Sequence, residues 1–126
     1  MAGNRRAKIT LVTGTAVLSA LAFTAPAHAA DAYSQVTYIS KIRVEAYSYG
    51  ANGAVKVCDR VADGYSVSVR YLRVTGNIQT LRNTKGAPNC VETSDIQSNP
   101  IAQFQACVRI DNIDYCNTTW SSTGRH

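Results

Sequence analysis

The chain has 126 residues and a formal charge of +5, which suits one small domain and leaves no room for a large multidomain enzyme. Three of the 13 basic residues precede Ile9, in a segment that we predict is cleaved from the protein. The remaining chain has ten basic and eight acidic residues, which gives it a formal charge of +2. That excess is too small to favour nucleic-acid binding, and the two histidines, His28 and His126, lie in segments where histidine-based catalysis is not expected.

The first 29 residues have the layout of a secretory signal peptide. A basic start is followed by the apolar run Ile9–Phe23 and by the small residues Ala27-His28-Ala29. A membrane anchor is the alternative, but the run is shorter than the roughly 20 apolar residues of a spanning helix. We therefore predict an extracellular monomer with no membrane span. The predicted division is a signal peptide at 1–29, a β-domain at 30–120 and a disordered tail at 121–126.

The rest of the chain reads as strands and turns. Residues 36–49 alternate between apolar and polar side chains, the period of a half-buried strand, and Asn52-Gly53 is a strong hairpin signal. A hairpin about that turn sets Glu45 opposite Arg60 as a cross-strand ion pair. It also sets Tyr47 opposite Cys58.

A second hairpin is predicted at Ala62-Asp63-Gly64, because a three-residue loop needs a left-handed residue at its third position. This register buries the apolar side chains of 65–71 and points Asp59 inward. A buried carboxylate must find donors or shift its pKa. Asp59 is thus either a structural carboxylate, the interpretation that we favour, or part of a catalytic site.

The pattern after Tyr71 is less regular. The apolar residues change parity, which predicts a bulge near Leu72, and Ile78–Leu81 reads as a short strand. Residues 83–89 and 92–100 read as loops, and Gln103–Ile110 alternates again.

The stretch ACVRIDNIDYC predicts its own hairpin. A two-residue turn at Asp111-Asn112 places two apolar pairs on one face of the hairpin. The other face then carries two pairs, Arg109 with Asp114 and Cys107 with Cys116. The cysteines then occupy a non-hydrogen-bonded pair, whose Cα spacing of about 4.5 Å allows a disulfide. We predict Cys107–Cys116, which leaves Cys58–Cys90. Zinc is the alternative, but the chain has no close Cys-x-x-Cys pair.

The segments VCDRVADGYSVSVRY and ACVRIDNIDYCNTTW, with Cys90 between them, resemble a pattern of short secreted proteins of actinomycetes. The shared features are Cys-Asp, Ala-Asp-Gly and Val-x-Val-x-Tyr, followed by a closing Cys, Cys and Trp. The resemblance implies a small β-sandwich with two disulfides and carries no activity across. We expect an antiparallel Greek-key sandwich of immunoglobulin-like type.

Binding is the function that the sequence favours. No catalytic residue, metal site or cofactor is predicted, since Asp111, Asn112 and Asp114 are explained as turn residues more simply than as calcium ligands. We predict a basic and aromatic patch on one sheet for binding an envelope polysaccharide or an extracellular protein, as an inhibitor does, against the alternative of an ordinary solvated sheet face. The alternative is a small secreted hydrolase with a carboxylate site around Asp59. The residues of the predicted patch are Tyr47, Tyr49, Lys56, Arg60 and Arg70.

Overall fold

The computed structural model describes residues 31–126, and the predicted signal peptide lies outside the described residues. These residues form two antiparallel sheets and no helix, so none of them forms a helix that could cross a membrane. The all-β sandwich-like fold with two disulfides is confirmed, while its immunoglobulin-like topology stays a prediction. The strands are β1 Ala32–Tyr38, β2 Lys41–Ser48, β3 Lys56–Asp59, β4 Ser66–Arg73, β5 Gln79–Asn83, β6 Cys90–Glu92, β7 Ile101–Ile110, β8 Ile113–Cys116 and β9 Ser121–Ser122.

The four-stranded sheet has the order β1-β2-β3-β6. The single strand predicted over 36–49 is wrong at its start, because the chain turns at Ile39-Ser40 and β1 pairs back on β2. Both turn residues have positive φ, 50° and 61°, as a two-residue hairpin requires. The sequence gives little sign of this turn because neither residue is Asn, Asp or Gly.

The connection from β2 to β3 differs from the predicted hairpin by two residues. The tight turn spans Tyr49–Asn52, closed by a hydrogen bond from Asn52 N to Tyr49 O, and Tyr47 pairs with Lys56 instead of Cys58. A shift of two residues keeps the paired side chains of residues 44–47 and 56–59 on their predicted faces. Asn52 has the expected positive φ of 60°, but Gly53 does not. A Cβ at Gly53 would lie 1.9 Å from the Asp95 carboxylate, so the exposed Asp95 side chain would have to move to admit another residue there.

The predicted hairpin at Ala62-Asp63-Gly64 is wrong. This segment crosses from β3 in one sheet to β4 in the other, so β4 pairs with β5 and β7 and not with β3. Gly64 nevertheless has the predicted left-handed backbone, with φ of 79°. A hairpin and a crossover can start with the same turn, and only the partner of the next strand distinguishes them.

The second sheet has the order β9-β7-β4-β5, with β8 paired to the other half of β7. The predicted bulge is confirmed, since the register shifts between Leu72 and Arg73. The β7–β8 hairpin matches the prediction at each pair, and Asp111 and Asn112 both have positive φ. The two sheets enclose a core of mostly β-branched and aromatic side chains. Its fully buried members include Val44, Val55, Val57, Val67, Val69, Ile101, Phe104 and Val108.

Both predicted disulfides are confirmed, and each joins neighbouring strands within one sheet. Cys58–Cys90 links β3 to β6, and Cys107–Cys116 links β7 to β8, both with Cα atoms 4.0 Å apart. In each sheet the cysteines alternate with core residues such as Val57 and Val108. The disulfides therefore lie toward the outer faces and leave the core to apolar side chains.

The predicted disordered tail at 121–126 is wrong. Ser121 and Ser122 form β9 on the edge of β7, and Thr123 is fully buried with its hydroxyl donating to Ile101 O at 2.6 Å. The polar composition suggested a tail, but these hydroxyl and amide groups pair with the free edge of a core strand. The domain thus extends past residue 120.

We expect the double substitution Cys107→Ser with Cys116→Ser to lower the free energy of unfolding by about 2.7 kcal/mol, from the loop-closure entropy of a ten-residue ring. The ring is closed by an already well-paired hairpin, so the far-ultraviolet circular dichroism should stay that of the wild type. Thermal melting measures the loss. An unchanged melting temperature would show that the hairpin holds its register without the bond.

Gly64→Val should destabilise the domain by about 1–2 kcal/mol, because a β-branched residue is strained at positive φ. No atom lies within 4 Å of a Cβ built at Gly64, so a clash would not contribute. Gly64→Asn is the matched control, since Asn tolerates this backbone. Equal losses for Val and Asn in urea melts would contradict the strain argument.

Candidate functional site

Four of the five predicted patch residues lie together, and Arg70 does not. Tyr47, Lys56 and Arg60 lie on or beside the outer face of the four-stranded sheet, and Tyr49 follows β2 at its edge. Arg70 lies on β4 in the other sheet. The separation follows from the crossover at residues 62–64, which carries β4 away from β3.

One row of side chains runs across the whole four-stranded sheet. Tyr33 pairs with Tyr47, Tyr47 with Lys56, and Lys56 with Glu92, so the four share the outer face. The rings of Tyr33 and Tyr47 are tilted by 51° with their centroids 5.3 Å apart. Tyr33 is 44% exposed, so this aromatic pair is open to solvent. We call this surface, with Glu45 and Arg60, the tyrosine face.

Glu45 is the centre of the tyrosine face. Its carboxylate accepts hydrogen bonds from the Tyr33 hydroxyl at 2.5 Å and from the Tyr47 hydroxyl at 2.9 Å. Arg60 pairs with the same carboxylate, as the sequence predicted, and also donates to the Tyr47 hydroxyl at 2.9 Å. Each phenol is therefore held at its ring and at its hydroxyl.

These contacts shift the ionisation of the groups that make them. Burial by itself would raise the pKa of Glu45, but the hydrogen bonds from Tyr33, Tyr47 and Arg60 outweigh it and hold that pKa below its usual value. Burial and the bond to Glu45 raise the pKa of the Tyr33 hydroxyl. At neutral pH the centre is thus an ionised carboxylate that is held by two tyrosine hydroxyls and one guanidinium.

Tyr49 and Lys56 extend this surface toward the β2–β3 turn. The Lys56 ammonium lies 5.7 Å from the centroid of the Tyr49 ring, which is a cation–π contact, and Tyr49 is 53% exposed. The formal charge of the tyrosine face is zero, because Glu45 and Glu92 balance Lys56 and Arg60.

Tyr33 is the residue that sequence reasoning missed. The predicted strand began at residue 36, so the alternation of Tyr33, Gln35 and Thr37 with Ser34 and Val36 was not assigned to a strand. That alternation is a recognisable signal for β1. Which strand it pairs with depends on the turn at residues 39–40.

Arg70 belongs to a different arrangement on the outer face of the second sheet. Its guanidinium lies 5.6 Å from the centroid of the Trp120 ring and donates to Gln105 Oε1 at 2.8 Å. The nearby Arg73 is buried and donates to the carbonyls of Gly53, Ser94 and Asn99. Arg73 therefore ties loops together and is not available to a ligand.

Asp59 is buried, as predicted, and lines a cleft of about 670 Å³. Burial raises its pKa, opposed by a hydrogen bond from Val61 N and assisted by the charge of Asp63. Asp63 lines the same cleft, but its carboxylate pairs with Arg43 at 2.9 Å and accepts from Tyr65 N. The cleft is thus lined by two acids, of which, among the described residues, Asp63 is paired with an arginine and Asp59 is not.

One end of the sandwich carries exposed apolar side chains. Ile39 is 70% exposed at a positive φ, an uncommon backbone for a β-branched residue. Ile113 and Tyr115 on β8 are also exposed, and the Tyr115 ring stacks on Tyr38 next to Ile39. The two hairpin tips therefore lie at the same end.

Within residues 31–126, no group of three or more histidine, cysteine or acidic side chains could hold a metal ion, and all four cysteines are in disulfides. Comparison with known proteins adds no assignment: no family model, curated protein or solved structure matches the chain. The resemblance to secreted actinomycete proteins stays a prediction.

Proposed function

We propose that the protein is a secreted, non-enzymatic binding module and that the tyrosine face binds a sugar chain of an envelope polysaccharide. The observation that carries this proposal is the Glu45 centre, where one carboxylate positions two solvent-facing phenol rings. Sugar rings present an apolar face that packs on aromatic rings, and hydroxyl groups that need hydrogen-bond partners at their edges. The tyrosine face has aromatic rings for the apolar face of a sugar and polar groups for its hydroxyls within one row of side chains.

The rigidity of this surface supports binding. Tyr33 and Tyr47 are fixed by ring contact and by Glu45, so little side-chain freedom is lost when a ligand packs on them. The sheet beneath them is tied by Cys58–Cys90, whose β3 cysteine pairs with Glu45 in the register. A flat, fixed platform of this kind suits an extended chain better than a compact small molecule.

The balance of charge determines which sugars fit. Since the tyrosine face is formally neutral, it does not attract an acidic polymer over distance, and packing with short hydrogen bonds would provide the affinity. We therefore assign it a neutral stretch of polysaccharide. Binding there should change little with salt.

The test is retention of the protein on purified cell walls and on an insoluble neutral polysaccharide. We expect Tyr33→Ala with Tyr47→Ala to bind about 5- to 150-fold more weakly, from about 0.5–1.5 kcal/mol for each of the two aromatic contacts. Tyr115→Ala is the matched control, because Tyr115 has a similar exposure of 45% on a different surface. Both variants should keep the circular dichroism of the wild type.

Salt gives the second arm of this experiment. Retention should survive an increase from about 0.05 M to about 0.5 M salt, over which the interactions of exposed charges are screened. Loss of the wild type at high salt, or equal retention of the tyrosine-face variant and the Tyr115 control, would contradict the proposal.

A protein ligand is the other form of a binding module, and it would use a different surface. The exposed Ile39, Ile113 and Tyr115 form an apolar end of the kind found at protein interfaces. The backbone strain at Ile39, of about 1–2 kcal/mol, is more easily explained if the side chain has a role at the tip. Retention on a protein target that fails in Ile39→Asn but not in Tyr33→Ala would favour this inhibitor-like function.

A carboxylate hydrolase is the second candidate, and the cleft at Asp59 is the observation that favours it. A buried acid with a raised pKa beside a second acid is a recurrent hydrolase arrangement. Against it, both oxygens of Asp63 already have partners. Release of reducing sugars from cell walls by the wild type and not by Asp59→Asn would support this candidate.

Stability gives an independent reading of Asp59. Its folded pKa is raised, so the native state binds the proton more tightly than the unfolded state, and ionisation at neutral pH lowers stability. We expect Asp59→Asn to melt at a higher temperature than the wild type at pH 7, with the difference vanishing as the pH falls below the ordinary aspartate pKa of about 3.9.

Asp63→Asn is the control for this measurement. It weakens the pair with Arg43 and should lower stability at pH 7 by about 1–3 kcal/mol. A loss of stability in Asp59→Asn at pH 7 would mean that the carboxylate is favourably paired in the fold.

A further inference from the structure

The outer face of the second sheet carries three arginines in adjoining rows. Ser66 pairs with Arg109, and in the next row Ser68 pairs with Arg82. Arg70 lies one row further, beside Gln105. With about 4.8 Å between strands and about 3.4 Å per residue, the Cα atoms of Arg70 and Arg82 are about 8 Å apart. We call Arg70, Arg82, Arg109 and Trp120 the arginine face.

Each guanidinium on the arginine face is held by a neighbour. Arg70 donates to Gln105 and stacks on Trp120, and Arg82 donates to Ser66 Oγ at 2.8 Å. Arg109 makes two hydrogen bonds of 2.9 Å to Asp114. A guanidinium has five N–H donors, so each of the three retains donors for a ligand.

The net charge of the described residues is concentrated here. Three arginines against Asp114 give +2 on this face, and ten bases against eight acids also give +2 for the chain from Asp31 onward. The tyrosine face is neutral, and the five other bases are balanced by five other acids. The pKa of Asp114 is lowered by its hydrogen bonds and ion pair with Arg109, although partial burial opposes this shift. The charges of Arg82 and Arg70 lower the same pKa further, which agrees with the clustering of the three arginines around Asp114.

We propose that the arginine face is a second binding site, independent of the tyrosine face, for an acidic polysaccharide. Carboxylate groups along the chain pair with the guanidinium groups, which favour planar, bidentate contacts with them. The partly exposed indole of Trp120 packs against a sugar ring next to Arg70. A repeating acidic chain fits three arginines spread over about 8–14 Å of sheet better than one small anion does.

The two sites predict opposite responses to salt and lie on opposite sides of the sandwich. A single polymer with neutral and acidic stretches could engage both faces, and the second site remains even if the first is disproved. The arginine face should lose affinity as salt rises, because its contacts are between exposed charges.

The experiment measures the affinity of the whole domain for soluble polygalacturonate, with dextran as the uncharged polymer and polyphosphate as an anion without sugar. We expect salt-sensitive binding to polygalacturonate and none to dextran. Arg70→Gln with Arg82→Gln should weaken it about 2- to 30-fold, from about 0.2–1 kcal/mol for each exposed ionic contact. Lys41→Gln with Lys85→Gln is the matched control, which removes the same charge from two exposed lysines outside both faces.

Asp114→Asn distinguishes a site from a merely structural cluster. It removes the acid that occupies Arg109 and should tighten binding to polygalacturonate about two- to fivefold, even though a surface ion pair is lost. Equal weakening in the arginine and lysine pairs, no gain in Asp114→Asn, or tighter binding to polyphosphate at equal charge would overturn the proposal.

Discussion

Cross-strand pairing of cysteines at outward positions is the constraint on which the two faces depend. Each disulfide joins directly paired residues with Cα atoms 4.0 Å apart, so it allows one register between its two strands. A slip of one residue would turn every side chain of a strand to the other face. The bonds that tie the strands thus also decide which side chains meet the solvent.

The two outer faces have the same framework and different chemistry. On the four-stranded sheet, Glu45 lies beside Cys58 and positions two phenols, which gives a neutral aromatic surface. On the second sheet, Ser68 lies between Cys107 and Arg82 in one row, and the surface is basic. Because the apolar cluster between the sheets is formed by inward-facing side chains, polar and aromatic residues can vary on the outer faces without disturbing its packing.

Buried polar groups hold the loops between the sheets. Arg73 donates to three carbonyls from two different loops, and Arg43 joins the Tyr38 carbonyl to Asp63. Two cations that the sequence would place on a surface are in this way satisfied by fixed acceptors. They explain why a small domain with long connections keeps its cleft and turns in defined positions.

Some parts of this architecture follow from local sequence. The β7–β8 hairpin could be predicted pair by pair because its partners are separated by one short turn, and Cys107 and Cys116 must face each other once that turn is placed. The ion pair of Glu45 with Arg60 was also predicted, although the predicted register was wrong by two residues. A two-residue shift leaves both side chains on the same face of the sheet.

The sequence by itself determined the all-β character, the buried side chains of most strands and the two disulfides, since these depend on period, turn chemistry and the number of cysteines. Only the tertiary structure decided that Gly64 begins a crossover, that Arg70 leaves the tyrosine face and that Thr123 closes the edge of β7. A left-handed glycine permits a turn but does not choose the next strand's partner. That choice depends on β7, some 40 residues away, whose apolar face has to be covered.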